Sequence, residues 1–259
     1  MSYNTFQPGR YQMLPEATKY LLVINALMYL ATYVLSNTPL RAFFDSLALY
    51  QPGTPDFHLW QIVSSVFMHG SFLHLFSNMF SLWMFGTVIE NIWGSRRFLA
   101  YYLITAIGAG VLYLAVNQIE IGIAANRLLA QGAPQALLNA LRQTSDVDIA
   151  NELIAQTGVA LNGKLLGEYF WTVHACVVGA SGAVFGIILA FGMMFPNSMI
   201  YLYFAIPVKA KWFVIGYGVF EFVSGISGLQ SGIAHFAHLG GMLFGYLMIR
   251  YWKKKGIFR

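Results

Sequence analysis

Charged side chains are scarce in this chain: Asp, Glu, Lys and Arg make up 10% of its 259 residues, whereas a typical soluble domain has about 25%. Cysteine is almost absent, and the single Cys176 cannot form an intramolecular disulfide. Hydrophobic residues, by contrast, reach 58%, and the mean hydropathy is +0.60. These figures exclude an ordinary soluble enzyme, a disordered chain and a coiled coil, and they indicate a membrane protein.

Long apolar stretches predict how often the chain crosses the bilayer. A spanning helix needs about 20 mostly apolar residues, and the sequence has room for six. These lie in Tyr20–Leu35, between Asp56 and Glu90, in Phe98–Val116, in Trp171–Phe195, and twice between Lys211 and Arg250. Six spans place both termini on the same side of the membrane.

Lysine and arginine are unevenly distributed over the two sides that six spans define. With cytoplasmic termini, eleven of the fifteen lie on the cytoplasmic side, as the positive-inside rule expects. The net charge of +5 is therefore explained by topology, and nucleic-acid binding is the weaker explanation. We expect a multi-pass protein of the bacterial inner membrane, with a cytoplasmic segment at 1–18, a six-helix domain over 19–252 and a basic tail at 253–259.

One long segment separates the third and fourth predicted spans. Residues 117–168 carry a net charge of −2, and we expect them on the non-cytoplasmic side. Leu137, Leu138 and Leu141 follow Pro134 as the apolar face of a helix would. We predict two or three short helices on or above the membrane, which form either an ordered spacer or an element that docks or gates substrates.

Polar and ionisable side chains inside spans are costly and indicate function, and here they occur together in three of the predicted spans. The second contains His69, His74 and Asn78, the fourth contains Ser181, and the sixth contains His235 and His238.

Ser181 is flanked by Gly179 and Gly182, so we predict that the regular helix begins near the serine. From there to Phe195 is about fifteen residues, or roughly 22 Å, which is shorter than a 30 Å hydrocarbon core. Ser181 would then lie at a helix N-terminus within the membrane, where unpaired N–H groups favour a developing oxyanion. The alternative is a structural serine, hydrogen-bonded to the carbonyl four residues back.

Paired glycines predict which helices meet. Gly182 and Gly186 form a small-xxx-small pair in the fourth span, and Gly241 and Gly245 form a second pair in the sixth. Such pairs let helix backbones approach closely. His238 shares the face of the second pair, so contact would bring its imidazole to the serine hydroxyl. A nucleophile and a general base are the minimum set for acyl transfer. The sequence places no Asp or Glu to orient the base, so we predict a dyad.

His74 and Asn78 are four residues apart and therefore share one helix face. Both can donate hydrogen bonds to an oxyanion. The alternative for this pair is a polar clamp between two helices.

These segments together resemble the rhomboid intramembrane serine proteases, over about residues 15 to 252. The residues that carry the resemblance are His69-Gly-Ser-Phe-Leu-His74-Leu-Phe-Ser-Asn78, Gly179-Ala-Ser181-Gly182 and Ala237-His238-Leu-Gly-Gly241-Met-Leu-Phe-Gly245. Glu90 and Gly94 also fit the family's pattern. The resemblance implies an all-α membrane protein, a six-helix rhomboid bundle with an extra extramembrane helical insertion between helices 3 and 4.

The same resemblance implies roles for individual residues. Ser181 would be the nucleophile and His238 the general base, while His74, Asn78 and the serine amide would bind the oxyanion. The glycines beside the serine, Gly179 and Gly182, would belong to the active-site cavity.

Three further features of the resemblance concern the surroundings of that site. His69 would lie near the water-accessible cavity, and His235 would be a lining or structural residue. The loop at Ile226–Ala234 would gate substrate entry. The family's Trp-Arg motif in the first loop is Trp60-Gln61 here, so the arginine is absent.

The implied activity is hydrolysis of peptide bonds in or next to transmembrane segments of substrate proteins, within the lipid bilayer, with no cofactor and no metal. One alternative is a catalytically silent rhomboid-like protein that binds or translocates transmembrane helices. Another is a transporter or proton channel that uses Glu221 and the histidines, although Glu221 has no basic partner in its span.

Overall fold

The computed structural model describes residues 11–202, 205–227 and 233–257. The helices within these ranges are α1 (Glu16–Val34), α2 (Arg41–Asp45), α3 (Gln61–Ser64), α4 (Phe72–Ser81), α5 (Thr87–Trp93), α6 (Ser95–Ala130), α7 (Gln135–Arg142), α8 (Val147–Gln156), α9 (Gly163–Val173), α10 (Ser181–Met194), α11 (Ala210–Ser227) and α12 (Ile233–Lys254). An antiparallel hairpin of β1 (Met199–Leu202) and β2 (Ile206–Lys209) joins α10 to α11, which the all-α prediction had not anticipated.

Three of these helices are long and apolar enough to cross a membrane by length and composition. They are Glu16–Val34, Phe72–Trp93 and Ser95–Ala130, and Ser181–Met194 is a shorter apolar helix. The mostly helical fold and the multi-pass membrane character are therefore confirmed. The count of six spans stays a prediction.

Helices α4 and α5 form one rod through a wide π-helical turn at Leu82–Gly86. The Ser71 hydroxyl caps its start by accepting a hydrogen bond from the His74 amide at 3.2 Å. This start corrects one detail of the sequence prediction, because His69 precedes the helix instead of lying within it. Gly94, with φ +77°, turns the chain from α5 into α6, a backbone conformation that glycine adopts without strain.

Glu90 joins the beginning of α1 to the end of the α4–α5 rod. Its buried carboxylate accepts hydrogen bonds from the amides of Ala17 and Thr18 at 2.8 and 2.7 Å. The hydroxyls of Thr18 and Ser95 donate to the same carboxylate. A carboxylate stabilises the unpaired N–H groups of a helix N-terminus, so this single side chain fixes the entry angle of α1.

Helix α6 is the longest element, and its 36 residues extend over about 54 Å. A helix of that length projects well beyond a 30 Å hydrocarbon core. The sequence prediction ended the third span at Val116, but the helix continues to Ala130. It does so because its last turns present Ile121, Ala124 and Leu128 to the core of the insertion.

The insertion has its own apolar core, built from α7, α8, α9 and the end of α6. The predicted apolar face of α7 is present, with Leu137, Leu138 and Leu141 all buried. The hydroxyl of Tyr169 donates a hydrogen bond to the Leu138 carbonyl at 3.0 Å and so ties α9 to α7. The predicted extramembrane helical segment is therefore a packed unit.

The first loop is held together by the glutamine of the Trp60-Gln61 pair. Gln61 is fully buried. Its Nε2 donates to the carbonyls of Ser46 and Asp56 at 3.0 and 2.7 Å, and its Oε1 accepts from the amides of His58 and Tyr50 at 3.0 and 3.3 Å. One neutral amide therefore connects four separate points of the loop.

Candidate active site

Ser181 is the first residue of α10, where the sequence predicted that the regular helix begins. The fourteen residues of this helix extend over about 21 Å, which is shorter than the 30 Å of a hydrocarbon core. The first N–H groups of a helix have no partner within it. The Ser181 hydroxyl and the unpaired amides of the first turn of α10 therefore lie at the same end of the helix.

The chain that enters α10 is extended, and other parts of the protein satisfy its backbone. Val177 pairs with Leu49 through two hydrogen bonds of 3.0 Å, and the Gly179 amide donates to the Ser65 carbonyl at 2.9 Å. Gly179 has φ +125°, a backbone conformation that residues other than glycine rarely adopt. Irregular backbone at membrane depth is tolerated where protein covers it.

His238 lies directly beside the serine. Its Nε2 is 2.9 Å from Ser181 Oγ. The imidazole stacks on Phe185, one helical turn beyond the serine, with ring centroids 4.2 Å apart and an interplanar angle of 5°. Phe185 was not singled out from the sequence, although its position four residues after Ser181 on the same helix face was a usable signal.

Glycines allow α10 and α12 to approach closely enough for this contact. A methyl group added at Gly241 would overlap the Gly182 carbonyl, and one added at Gly186 would lie 3.1 Å from the Gly241 carbonyl oxygen and 2.8 Å from Thr105. One added at Gly245 would overlap the hydroxyl of Tyr101, which donates a 2.7 Å hydrogen bond to the Gly186 carbonyl. All four glycines of the two predicted small-xxx-small pairs therefore lie in this interface.

His74 and Asn78 lie on α4 and face the chain just before the serine. A methyl group added at Gly179 would be 2.7 Å from His74 Nε2 and 3.8 Å from Asn78 Nδ2. Asn78 is buried, and none of the described residues accepts a hydrogen bond from its Nδ2. A buried donor without a partner is costly, so the amide is available to an oxygen that arrives beside Ser181.

His69 and a small cavity complete the surroundings. The buried His69 ring packs edge to face on the His74 ring, with centroids 5.0 Å apart. A cavity of about 30 Å³ borders Ser65, Gly179 and Ser181, which is enough for a water molecule.

Glu221 corrects the prediction that the histidine has no acidic neighbour. This buried carboxylate of α11 places Oε2 3.1 Å from His238 Nδ1 and 2.5 Å from His235 Nδ1. The sequence reasoning was wrong that no Asp or Glu is placed to orient the base, because the partners of Glu221 lie on α12 and not in its own span. The available signal was that Glu221 is the single acidic residue between Lys211 and Arg250.

The proposed gate, Ile226–Ala234, falls mostly outside this description. Helix α11 ends at Ser227 and α12 begins at Ile233, and residues 228–232 lie outside the described residues.

Comparisons with known proteins agree with this architecture. The family described as "Rhomboid domain" matches residues 56–134 and 151–255. "Rhomboid-like protein 11, chloroplastic" of Arabidopsis thaliana is 28% identical over 184 residues, covering 66% of this chain and 62% of that protein. "RHOMBOID-like protein 12, mitochondrial" of the same plant is 28% identical over 225 residues, covering 85% of this chain and 54% of its own.

A bacterial relative is also similar. "Rhomboid protease AarA" of Providencia stuartii is 22% identical over 232 residues, covering 88% of this chain and 69% of that protein. The chain spans little more than half of the lengths of the two plant relatives. Because these carry chloroplastic and mitochondrial names, the comparisons do not support the expected bacterial inner membrane.

The matched segments contain the serine, both histidines of α12, and the polar pair of α4. They also cover most of the chain, on both sides of a short gap inside the insertion. The chain belongs to the rhomboid family.

Proposed function

We propose that this protein is an intramembrane serine endopeptidase, in which Ser181 is the nucleophile and His238 the general base. The observation that carries the proposal is the 2.9 Å contact between Ser181 Oγ and His238 Nε2 at the half-buried start of a short apolar helix. This contact has the length that proton transfer between a nucleophile and its base requires.

In the first half of the reaction, Ser181 Oγ forms a bond to the carbonyl carbon of the scissile peptide. Its proton moves to His238 Nε2, and the carbonyl oxygen becomes an oxyanion. The Ser181 amide, Asn78 Nδ2 and the His74 ring are the donors close to that oxygen. Donors already in place for a developing charge lower the barrier without reorganisation. The carbon–nitrogen bond then breaks, and the His238 proton leaves with the new amine.

In the second half, water attacks the acyl-enzyme ester. His238 Nε2 takes a proton from that water, and the ester bond to Ser181 breaks with return of the proton to Oγ. The small cavity beside the serine provides room for such a water next to the reacting bond. The serine and the imidazole return to their starting states.

The depth of Ser181 points to substrates that enter from the lipid. A peptide carbonyl in a transmembrane helix is hydrogen-bonded within its own helix, so the substrate must unwind locally before attack. We therefore expect cleavage in or next to transmembrane segments, near small or helix-weakening residues. The substrates are membrane proteins, and the site needs no metal or organic cofactor for this chemistry.

Orientation is a further part of the proposal. The uneven distribution of lysine and arginine favours both termini on the cytoplasmic side, with the insertion on the opposite side. Reporter fusions at each terminus and within α7–α8 would test this, because the two termini must report one compartment and the insertion the other.

The decisive experiment is cleavage of a model transmembrane substrate by purified protein in liposomes. Ser181→Ala and His238→Ala should each abolish cleavage, and Ser181→Ala should abolish labelling by a fluorophosphonate. Ser145→Ala, which alters an exposed serine of the insertion, is the matched control and should cleave like the wild type. A Ser181→Ala protein that still cuts would contradict the proposal, and a wild type that binds but never cuts would favour the silent rhomboid-like alternative.

A pH profile gives an independent test. His238 must be neutral at Nε2 to accept the serine proton, so activity should be full on the alkaline side of the imidazole transition and fall as the ring is protonated at acidic pH. Activity that stays flat through that range would speak against His238 as the base.

A further inference from the structure

Glu221 is the feature of this molecule that the two-residue mechanism leaves unused. It is a carboxylate in the apolar helix α11, and 4% of the residue is exposed. An ionisable group in an apolar span is costly unless it is paired, and such residues mark functional sites. Its position between two histidines of α12 supplies that pairing.

The two ring nitrogens of His238 face opposite partners. Nε2 contacts Ser181 Oγ at 2.9 Å, and Nδ1 lies 3.1 Å from Glu221 Oε2. A neutral imidazole accepts a proton at one nitrogen only if the other carries a hydrogen. A carboxylate beside Nδ1 favours the tautomer in which Nε2 is the free base, which is the arrangement that the serine requires.

His235 holds the carboxylate in place. Its Nδ1 is 2.5 Å from the same Oε2 atom, closer than His238. The contact with His238 lacks the alignment of a full hydrogen bond in this state, and such contacts tighten when substrate is bound. As the serine proton arrives on His238, the ring becomes a cation and its attraction to Glu221 increases.

We propose that Glu221 is a positioning residue, anchored by His235, that orients His238 and stabilises the imidazolium formed when Ser181 loses its proton. This rests on the proposed protease function. The site would therefore work as a chain of four side chains, Ser181, His238, Glu221 and His235, which extends across three helices.

Glu221, His235 and His238 could also be considered as ligands of a divalent cation, since their ligand atoms all lie within 4.8 Å of one another. The distances favour direct hydrogen bonding. Two nitrogen or oxygen ligands on one tetrahedral zinc ion are about 3.3 Å apart, whereas Glu221 and His235 are 2.5 Å apart.

The test compares Glu221→Gln with Glu152→Gln in the full chain, reconstituted in liposomes. Glu152 is an exposed carboxylate of the insertion, so the control removes the same charge at a position outside the proposed chain of four side chains. We expect Glu221→Gln to lower kcat by about 30- to 1000-fold with KM within twofold of wild type, and to slow fluorophosphonate labelling of the serine in proportion. Glu152→Gln should leave both unchanged.

Several outcomes would overturn this role for Glu221. Wild-type kcat in a folded Glu221→Gln protein would do so, and so would a raised KM or a lowered Tm as the sole change, because either indicates a structural role. Loss of wild-type activity on treatment with a zinc chelator would assign the cluster to a metal instead. His235→Asn keeps the carboxylate but frees it, and we expect kcat about 3- to 10-fold lower; an unchanged kcat would contradict the anchoring.

Ser181→Ala in the same assay separates this proposal from the one it rests on. If Ser181→Ala still cleaves, the protease function itself is wrong. If Ser181→Ala is inactive while Glu221→Gln cleaves like the wild type, the protease function stands and the role of Glu221 is rejected.

Discussion

The intramembrane helices and the insertion are held together in opposite ways. In the bundle, α10 and α12 meet through Gly182, Gly186 and Gly241, and their backbones touch. In the insertion, α7 and α9 meet through Leu138, Tyr169 and neighbouring apolar side chains.

The difference is what lipid around the bundle and water around the insertion, as the sequence predicts, would produce. Lipid tails are as apolar as leucine, so burying leucine between membrane helices has little driving force, and close backbone packing takes over. Water makes the burial of leucine favourable, at about 25 cal/mol per Å². A single added methyl group should therefore damage the bundle most, and a single deleted side chain should damage the insertion most.

The largest effect should come from Gly241→Ala. The added methyl overlaps the Gly182 carbonyl, so α12 must move away from α10 and take His238 with it. A displacement of about 1 Å in a catalytic group costs roughly 100-fold in rate, and we expect at least that loss in kcat/KM. Gly216→Ala on α11 has open space around the added methyl and is the matched control. Equal rates for the two variants would disprove the backbone-contact account.

The next largest effect should come from Leu138→Ala in the insertion. Leu138 is 1% exposed, and removing a buried leucine costs about 2–5 kcal/mol. Hydrogen–deuterium exchange should be correspondingly faster in α7–α9, while fluorophosphonate labelling of Ser181 stays within about twofold of wild type. Leu129→Ala, at a position that is 36% exposed, should accelerate exchange much less and leave serine labelling unchanged. Loss of serine labelling in Leu138→Ala would show that the two regions are one cooperative unit.

Gln61→Leu should have a smaller effect, in the first loop, which joins α1 to α4. The replacement has a similar volume but leaves the partly buried partners of the amide unsatisfied, which costs about 1–3 kcal/mol. Thermal unfolding in detergent should show a lowered Tm. The exposed Gln118 provides the control, and Gln118→Leu should leave Tm unchanged. A Gln61→Leu protein as stable as wild type would mean that water replaces the amide.

The smallest effect should come from Lys164→Ala. The Lys164–Glu168 pair in α9 has an N–O distance of 4.0 Å, and the lysine side chain is 87% exposed. Exposed pairs of this kind contribute about 0–0.5 kcal/mol. The exchange rates of α7–α9 should not change measurably, and a change as large as that of Leu138→Ala would contradict a leucine-based core.

Local patterns predicted much of this molecule. The glycines around Ser181 located the start of α10, and the leucines after Pro134 located the buried face of α7. The end of α6 was missed, because charged residues after Val116 resembled the close of a span. That helix continues since its far end packs on the insertion, a contact between residues distant in sequence. His69 was placed inside the second helix for a related reason: composition does not reveal where a cap such as Ser71 begins the helix.

Some properties depend only on neighbours along the chain: hydrophobic runs, small-residue spacing and the distribution of basic side chains. The sequence by itself therefore determined the membrane class, the family resemblance and the candidate serine and histidine. Only the tertiary structure decided which groups surround them. Glu221 reaches the two histidines of α12, and Gln61 reaches four points of the first loop. Such partnerships depend on how far each helix is rotated and shifted against its neighbours, and spacing along the chain does not specify that.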